Sequence, residues 1–240
     1  MLLQCHDVTK AFGGIQALAG IQLDVEEGRI LGLVGPNGSG KSTLINVLSG
    51  FYAADGGRVD FAGTDILGLE SHEIAAHGIA RTYQIPRPFG SMTARENVAV
   101  SYMFGQHKHS LASARRAADE WLDFTGLGHV ADHEVDQLNL QQLKFLELAR
   151  ALATEPSLLL LDEVLAGLNP SEIESSVDMI RRIHQRGITI VIVEHVLRVV
   201  MSLSERIVVL DQGKVIAAGD PQTVMNDEAV MTAYLGGKRV

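Results

Sequence analysis

The sequence predicts an α/β fold with three parts: a core of buried strands and helices, an N-terminal antiparallel β subdomain and an inserted helical subdomain. Three observations predict it. Short apolar runs bounded by turn residues recur near both ends of the chain, which is typical of buried strands. Between about 71 and 155, helical stretches largely replace them. A glycine-rich loop after one buried strand leads into a helix.

The N-terminal part contains the first strands and the first helix. Residues 2–34 alternate apolar runs with turns that contain glycine, and the last run, Ile30 to Val34, leads into the glycine-rich loop. A helix is predicted for Ser42 to Leu48. Gly50 can adopt the left-handed conformation that ends a helix. These elements begin a core that we expect to span residues 1–84 and 156–240 of a single 240-residue domain.

The inserted subdomain is expected at 85–155. Helices are predicted at 111–127 and 141–153, and Pro156 prevents the second from continuing. The core then resumes. Its later elements are a strand at 158–161, a helix at 171–186, a strand at 188–193 and a hairpin formed by 207–210 with 215–217.

Composition narrows the function. Twenty Lys and Arg against 29 Asp and Glu give a net charge of −9, which disfavours nucleic acid as a partner because a basic face would be needed. The single cysteine, Cys5, cannot form an internal disulfide and suits a reducing compartment. No apolar run approaches the ~20 residues of a membrane-spanning helix, and the start lacks signal-peptide features. We therefore expect a cytoplasmic protein that contacts a membrane only through a partner.

The glycine-rich loop matches the phosphate-binding pattern G-x-x-x-x-G-K-S/T at every required position. Its glycines let backbone N–H groups turn towards phosphate oxygens. Lysine offers a cation to the outer phosphates, the following serine hydroxyl can bind Mg²⁺, and the helix dipole favours the same anion. The loop predicts a P-loop ATPase core that binds ATP and Mg²⁺ through Gly35, Pro36, Asn37, Gly38, Ser39, Gly40, Lys41, Ser42 and Thr43.

Polar residues follow two other buried strands. Asp162 and Glu163 come directly after Leu158 to Leu161, and His195 follows the run that ends at Val193. Asp162 is predicted to hold Mg²⁺ through water, and Glu163 to orient or polarise the attacking water. His195 is predicted to contact the γ-phosphate and that water.

Together these parts resemble the ATP-binding subunits of ABC transporters over essentially the whole chain. The resemblance implies that Phe12 stacks on adenine, although a turn-packing aromatic would satisfy the same pattern. It implies that Gln84 contacts Mg²⁺ and the water and moves with the transmembrane partner. It matches His195 to the family's switch histidine, and Gly167-Leu168-Asn169 to a loop that communicates across the ATPase dimer.

Within that family, the sequence is similar to branched-chain amino-acid uptake ATPases. The similarity rests on Arg81-Thr82-Tyr83-Gln84, Glu96-Asn97-Val98, Glu147 to Leu152, Ala166 to Asn169, Ile192 to His195 and Tyr234-Leu235-Gly236. Lipopolysaccharide-export and urea- or amide-uptake ATPases share much of this pattern, so they stay open as alternatives. The implied location is the cytoplasmic face of the cell membrane, on permease subunits.

One motif departs from the family pattern. The signature LSGGQ, which contacts the γ-phosphate held by the opposite subunit of a dimer, corresponds here to Leu138-Asn139-Leu140-Gln141-Gln142. Asn139 replaces the serine, and Leu140 and Gln141 replace both glycines, bringing side chains where the backbone must approach phosphate. Asn139 can still donate from its amide and can cap a helix. We expect a weakened contact.

The departure predicts asymmetry. The residues that bind ATP on this chain's own loop match the pattern, whereas those it lends to a neighbour do not. We expect a heterodimer with a second ATPase subunit that has a complete signature; a homodimer would contain two weakened sites. Two hypotheses stay open: a transport ATPase, and a regulatory nucleotide-binding subunit that hydrolyses little.

A pair of histidines and a proline-rich segment lie outside these motifs. His107 and His109 have a spacing seen in metal sites, but without a third ligand they are interpreted as loop histidines in solvent. The segment Pro86-Arg87-Pro88-Phe89 follows Gln84 directly. It suits either a docking surface for a membrane-domain helix or an ordinary rigid loop.

Overall fold

The computed structural model describes residues 1–105 and 110–235. The strands are, in chain order, β1 Leu3–Phe12, β2 Ile15–Val25, β3 Ile30–Val34, β4 Gly56–Phe61, β5 Thr64–Asp65, β6 Ile79–Arg81, β7 Leu158–Asp162, β8 Thr189–Val193, β9 Arg206–Asp211 and β10 Lys214–Gly219. The helices are α1 Lys41–Leu48, α2 Ser71–Ala76, α3 Ala94–Met103, α4 Leu111–Phe124, α5 Leu140–Ala153, α6 Pro170–His184, α7 Leu197–Leu203, α8 Pro221–Met225 and α9 Glu228–Leu235.

The chain divides into two units. Unit 1 contains residues 1–71 and those from 187 onward, and unit 2 contains residues 72–186. In unit 1, the strands β2, β1, β4 and β5 form an antiparallel sheet in that order. This sheet is the predicted N-terminal β subdomain.

Unit 1 also contains a mostly parallel group of strands. β3 pairs in parallel with β8 on one side and β9 on the other, and every residue of β3 and β8 is buried. Such continuous apolar runs are typical of parallel strands covered on both faces. β10 pairs antiparallel with β9, and this confirms the predicted hairpin.

Unit 2 combines two parallel strands with helices. β6 pairs in parallel with β7, which is buried along its whole length. The helices α3, α4 and α5 pack around an apolar core that includes Val98, Leu122 and Leu146. Small residues such as Ala94, Ala114, Ala118 and Ala149 share this core and allow the helix backbones to approach closely. The combination of strands and packed helices confirms the predicted α/β fold class.

Several boundaries differ from those predicted. α4 ends at Phe124 rather than 127, because Gly126 adopts a positive φ of 77°. The strand β6 was missed, since three residues are too short to show a strand pattern. The division of the core and inserted subdomain at 85 and 155 falls inside unit 2 and stays a prediction. His107, His109 and Gly236 lie outside the described residues.

Candidate active site

The phosphate-binding loop connects β3 to α1. Two of its glycines occupy positions where no side chain fits. A Cβ on Gly35 would lie 2.1 Å from the carbonyl oxygen of Leu210, and a Cβ on Gly40 would lie 2.5 Å from that of Ala17. Gly40 also has a φ of 108°, which disfavours any other residue. Glycine is therefore required here by the surrounding backbone as well as by any ligand.

Polar groups converge inside this loop. The Lys41 ammonium donates to the carbonyl oxygens of Gly35 at 2.9 Å and Pro36 at 3.0 Å, and its side chain is buried. The buried hydroxyl of Ser39 has no hydrogen-bond partner among the described residues. A buried unsatisfied hydroxyl is costly, so its presence beside a lysine fits a loop built around an anionic ligand. Ser42, the next helical residue, is exposed.

His195 follows β8 and is exposed. β8 lies beside β3 in parallel, with Val193 opposite Leu33. Because both strands run in the same direction, the loop and His195 leave the sheet at the same edge. Unit 1 therefore contains the phosphate-binding loop and the predicted switch histidine at the carboxyl ends of adjacent strands.

Phe12 ends β1, and its ring is 42% exposed. The ring of Tyr52 packs against it edge-on, with centroids 5.1 Å apart. Asp55 binds the two residues that precede Phe12. One carboxylate oxygen accepts from the Lys10 ammonium at 2.9 Å, and the other accepts from the Ala11 backbone N–H at 2.6 Å. The Lys10 ammonium also lies 5.2 Å from the centroid of the Phe12 ring, so Phe12 is partly exposed while the segment after α1 fixes its place. Neither Tyr52 nor Asp55 was identified from the sequence.

Unit 2 brings together the acidic pair and the predicted glutamine. Asp162 is the last residue of β7, and an Arg81 guanidinium nitrogen lies 3.4 Å from its carboxylate. Glu163 follows with a φ of 51°, and its carboxylate accepts a 2.5 Å hydrogen bond from the Gln84 amide. Although 79 positions separate them, Gln84 and Glu163 meet because β6 and β7 are adjacent.

The degenerate signature forms the start of α5. Asn139 is the residue before the helix, and its side-chain oxygen accepts from the Gln142 backbone N–H at 2.9 Å. In return, the Asn139 backbone N–H donates to the Gln142 side-chain oxygen at 2.9 Å. Leu140 is 45% exposed, and its Cδ2 atom would lie 3.3 Å from a Cβ added to Gly167. The predicted cap at Asn139 is confirmed.

Sequence reasoning missed the residues that hold the segment from Tyr83 to Phe89, here named the Gln84 segment. Glu147 and Arg150 of α5 contact this segment at Tyr83 and Arg87, and Asn97 of α3 contacts it at Phe89. The buried Asn97 amide accepts from the Phe89 N–H at 2.7 Å and donates to the Phe89 and Thr93 carbonyl oxygens at 3.1 and 3.0 Å. Charged residues at three-residue spacing in an otherwise apolar helix were the available indication.

Two family models match the chain. One, described as ABC transporter, covers residues 18–166, and the other, described as branched-chain amino acid ATP-binding cassette transporter, covers residues 214–239. The chain therefore belongs to the family of ABC transporter ATP-binding subunits. It binds a nucleotide, and its activity is ATP hydrolysis coupled to transmembrane transport.

Similar proteins support this membership. The chain is 38% identical to the probable branched-chain amino acid transport ATP-binding protein LivG of Archaeoglobus fulgidus, over 99% of this chain and 96% of that protein. It is 37% identical to the high-affinity branched-chain amino acid transport ATP-binding protein BraF of Pseudomonas aeruginosa, over 98% of both. It resembles the ADP conformation of an ABC transporter ATP-binding cassette with a TM-score of 0.87 and 33% identity, over 98% of both chains.

In the described part of the chain, no helix is both long and apolar enough to span a membrane.

Proposed function

We propose that this chain hydrolyses ATP to drive a permease that imports branched-chain or related amino acids. The observation that carries the ATPase part is the loop between β3 and α1, with its buried lysine and required glycines. The proposed substrate class rests on the printed names of the relatives. Transport would need membrane-spanning subunits from other chains, with this chain bound to them at the cytoplasmic face of the membrane.

The proposed ATP contacts come from unit 1. Backbone N–H groups of residues 35–43 would surround the phosphates, and Lys41 would contact the outer ones. The exposed face of Phe12 would stack on adenine, at a gain of about 1 kcal/mol beyond the buried area. The unsatisfied Ser39 hydroxyl would gain a phosphate oxygen as partner.

The donor set fits Mg²⁺, which prefers oxygen ligands and keeps several waters. Ser42 would bind it directly, Asp162 through water, and Gln84 would contact it through its amide oxygen. Among the described residues no cluster of three His, Cys, Asp or Glu could hold a metal ion, which agrees with an ion bound mainly by phosphate and water. When bound, the ion neutralises charge on the phosphates.

Glu163 is the proposed activator of water. Its carboxylate already accepts from Gln84, which fixes the carboxylate orientation. Glu163 would polarise the water that attacks the γ-phosphate in line, while His195 and Gln84 would hold that water and the phosphate. The products would be ADP and inorganic phosphate.

The proposed partner is a second ATPase subunit with a complete signature. The Asn139 side-chain oxygen is already occupied by the Gln142 N–H, so the α5 N-terminus offers less to a neighbour's phosphate than a glycine-rich signature does. One composite site, on this chain's loop, would turn over; the site on the partner's loop would be slow.

The same capping favours a second candidate, a regulatory subunit that binds ATP and hydrolyses little. The Gln84–Glu163 hydrogen bond argues against it, because it keeps a general base in place. Comparing ATP affinity with turnover, with and without copurified subunits, separates the two functions.

Glu163→Gln tests the transport ATPase. In the complex that copurifies with the full-length chain, ATP affinity should be kept while turnover falls by about 10²–10⁴-fold, the usual contribution of a general base. Glu174→Gln changes the charge equally at an exposed position of α6 and should leave turnover unchanged. Unchanged turnover in Glu163→Gln would refute the assignment.

A further inference from the structure

Helix α5 carries three charged side chains at three-residue spacing, Lys144, Glu147 and Arg150, here named the charged ladder. Lys144 is only 6% exposed and Glu147 only 5%. Residues three apart lie next to each other on one side of a helix. Charged groups are rarely buried so deeply unless they are paired, because an ion loses favourable hydration when it leaves water. We therefore expect each member of the ladder to be paired with polar groups around it.

Lys144 contacts the backbone around the proposed general base. Its ammonium donates to the Val164 carbonyl oxygen at 2.9 Å and lies 3.5 Å from that of Glu163. Glu163 has a φ of 51°, a left-handed conformation that is unfavourable for a non-glycine residue. A charged donor on the carbonyl groups that follow this strained position helps to hold it.

Glu147 and Arg150 contact the Gln84 segment. The Glu147 carboxylate accepts from the backbone N–H groups of Tyr83 and Arg87, and it pairs with Arg150 at 2.9 Å. Arg150 donates to the Arg87 carbonyl oxygen at 2.9 Å. Burial raises the pKa of Glu147, whereas Arg150 and the backbone donors act to lower it. Tyr83 and Arg87, which lie on either side of Gln84, are thus both bound to α5.

The two segments held by the ladder meet at the Gln84–Glu163 hydrogen bond. We propose that Lys144, Glu147 and Arg150 are positioning residues that set the geometry of the Gln84–Glu163 pair for hydrolysis. Because α5 begins with the signature, the same helix joins the partner-facing motif to the pair that acts on water. This inference rests on the proposed role of Glu163.

A purely structural ladder is the competing explanation. Replacing a buried charged network by apolar residues is often neutral or stabilising, so stability alone gives little reason for three charges here. The backbone contacts of the charged ladder also go to the two segments that carry Gln84 and Glu163. A positioning role predicts an effect on turnover that stability does not explain.

The first test is Lys144→Met in the full-length chain with its copurified subunits. Methionine keeps the apolar stem and removes the cationic donor. We expect turnover to fall at least about tenfold while ATP affinity, measured with a fluorescent ATP analogue, changes less than about twofold. Lys214→Met removes an exposed lysine and should change neither quantity. Lys144→Arg should restore most of the turnover, since it returns a donor.

The decisive test combines Lys144→Met with Glu163→Gln. If Lys144 acts through Glu163, the double variant should be no slower than Glu163→Gln alone, within about twofold. Equal fold losses in both backgrounds would overturn the inference. So would unchanged turnover in Lys144→Met when Glu163→Gln is inactive, and this outcome leaves the proposed function standing. Turnover retained in Glu163→Gln alone would overturn both.

A second variant guards against failure to fold. If Lys144→Met lowers the thermal midpoint severely, Glu147→Gln tests the same ladder with nearly unchanged shape, and Glu174→Gln is its control. We expect a turnover loss of about threefold or more with ATP affinity kept. The same turnover in Glu147→Gln and Glu174→Gln would overturn the inference.

Discussion

Helices α1 and α5 begin in opposite ways. α1 follows Gly40, and among the described residues no side chain caps it. α5 follows Asn139, and Asn139 and Gln142 cap each other through two hydrogen bonds of 2.9 Å. A helix start has four backbone N–H groups without partners in the helix. No side chain caps the described start of α1, whereas the Asn139 side chain occupies one of these N–H groups in α5.

The difference distinguishes the loop that is proposed to bind this chain's own ATP from the signature that is proposed to face the ATP of a neighbouring subunit. An uncapped, glycine-rich start suits phosphate because N–H groups and the helix dipole both point at it. A self-capped start with an exposed leucine suits a stable helix better than a close phosphate contact. The two helix starts therefore differ in what they can offer a phosphate, and each variant below tests one side of this comparison.

The largest effect is expected at Lys41. Lys41→Met removes the ammonium that lies among the loop carbonyl oxygens. A charged hydrogen bond contributes about 1.5–3 kcal/mol, so ATP affinity should fall by about 10–150-fold. Equilibrium binding of a fluorescent ATP analogue measures this, with Lys214→Met as the matched exposed control. An affinity loss below twofold would contradict the loop's role.

A substitution at Gly40 tests whether the start of α1 needs a residue without a Cβ atom. In Gly40→Ala the new Cβ meets the Ala17 carbonyl oxygen at 2.5 Å in a left-handed conformation. We expect a cost of about 2–3 kcal/mol in the free energy of unfolding, measured by denaturant titration. Gly63→Ala has a comparable φ of 84° but open space around it, and should cost only about 1 kcal/mol. Equal costs would show that backbone conformation alone sets the requirement.

Restoring the LSGGQ signature tests the proposed contact of α5 with the ATP of a neighbouring subunit. The triple variant Asn139→Ser, Leu140→Gly and Gln141→Gly should raise turnover of the chain on its own by about tenfold or more, since donors to a transition-state charge have large effects. Each new glycine costs up to about 1 kcal/mol of helix stability. The same triple variant with Glu163→Gln should stay inactive. If turnover of the active form does not rise, the altered signature is not what limits hydrolysis.

The phosphate-binding loop was predictable because its requirement is local. Gly35 to Thr43 need particular backbone angles and one lysine, and such needs appear directly in consecutive residues. The cap at Asn139 was predictable for the same reason. The helices and strands that were predicted have ends within one to three residues of those observed, shifted where a turn such as Gly126 decided them. The shorter elements β4, β5, β6, α2, α7 and α8, together with α3 and α9, were not predicted.

The charged ladder was not predictable because its partners are distant. Lys144 binds a carbonyl group 20 positions away and Arg150 one 63 positions away. In the sequence, their three-residue spacing in an otherwise apolar helix is unusual, but it does not identify the groups that they contact. The support for Phe12 from Asp55 was missed likewise, across 44 positions. The partners in long-range pairing of charges with backbone groups cannot be identified from local sequence.

The smallest effect is expected from removing the cap of α5. Asn139→Ala deletes the oxygen that accepts from the Gln142 N–H, so it should cost about 1 kcal/mol in the free energy of unfolding. Thr93→Ala removes the equivalent cap of α3 and should cost a similar amount. Thermal or denaturant unfolding measures both. If Asn139→Ala also lowers turnover in the copurified complex while Thr93→Ala does not, the Asn139 amide contributes to the neighbouring site. Equal turnover in the two variants would mean that this residue serves its own helix alone, which is what the self-capped start of α5 predicts.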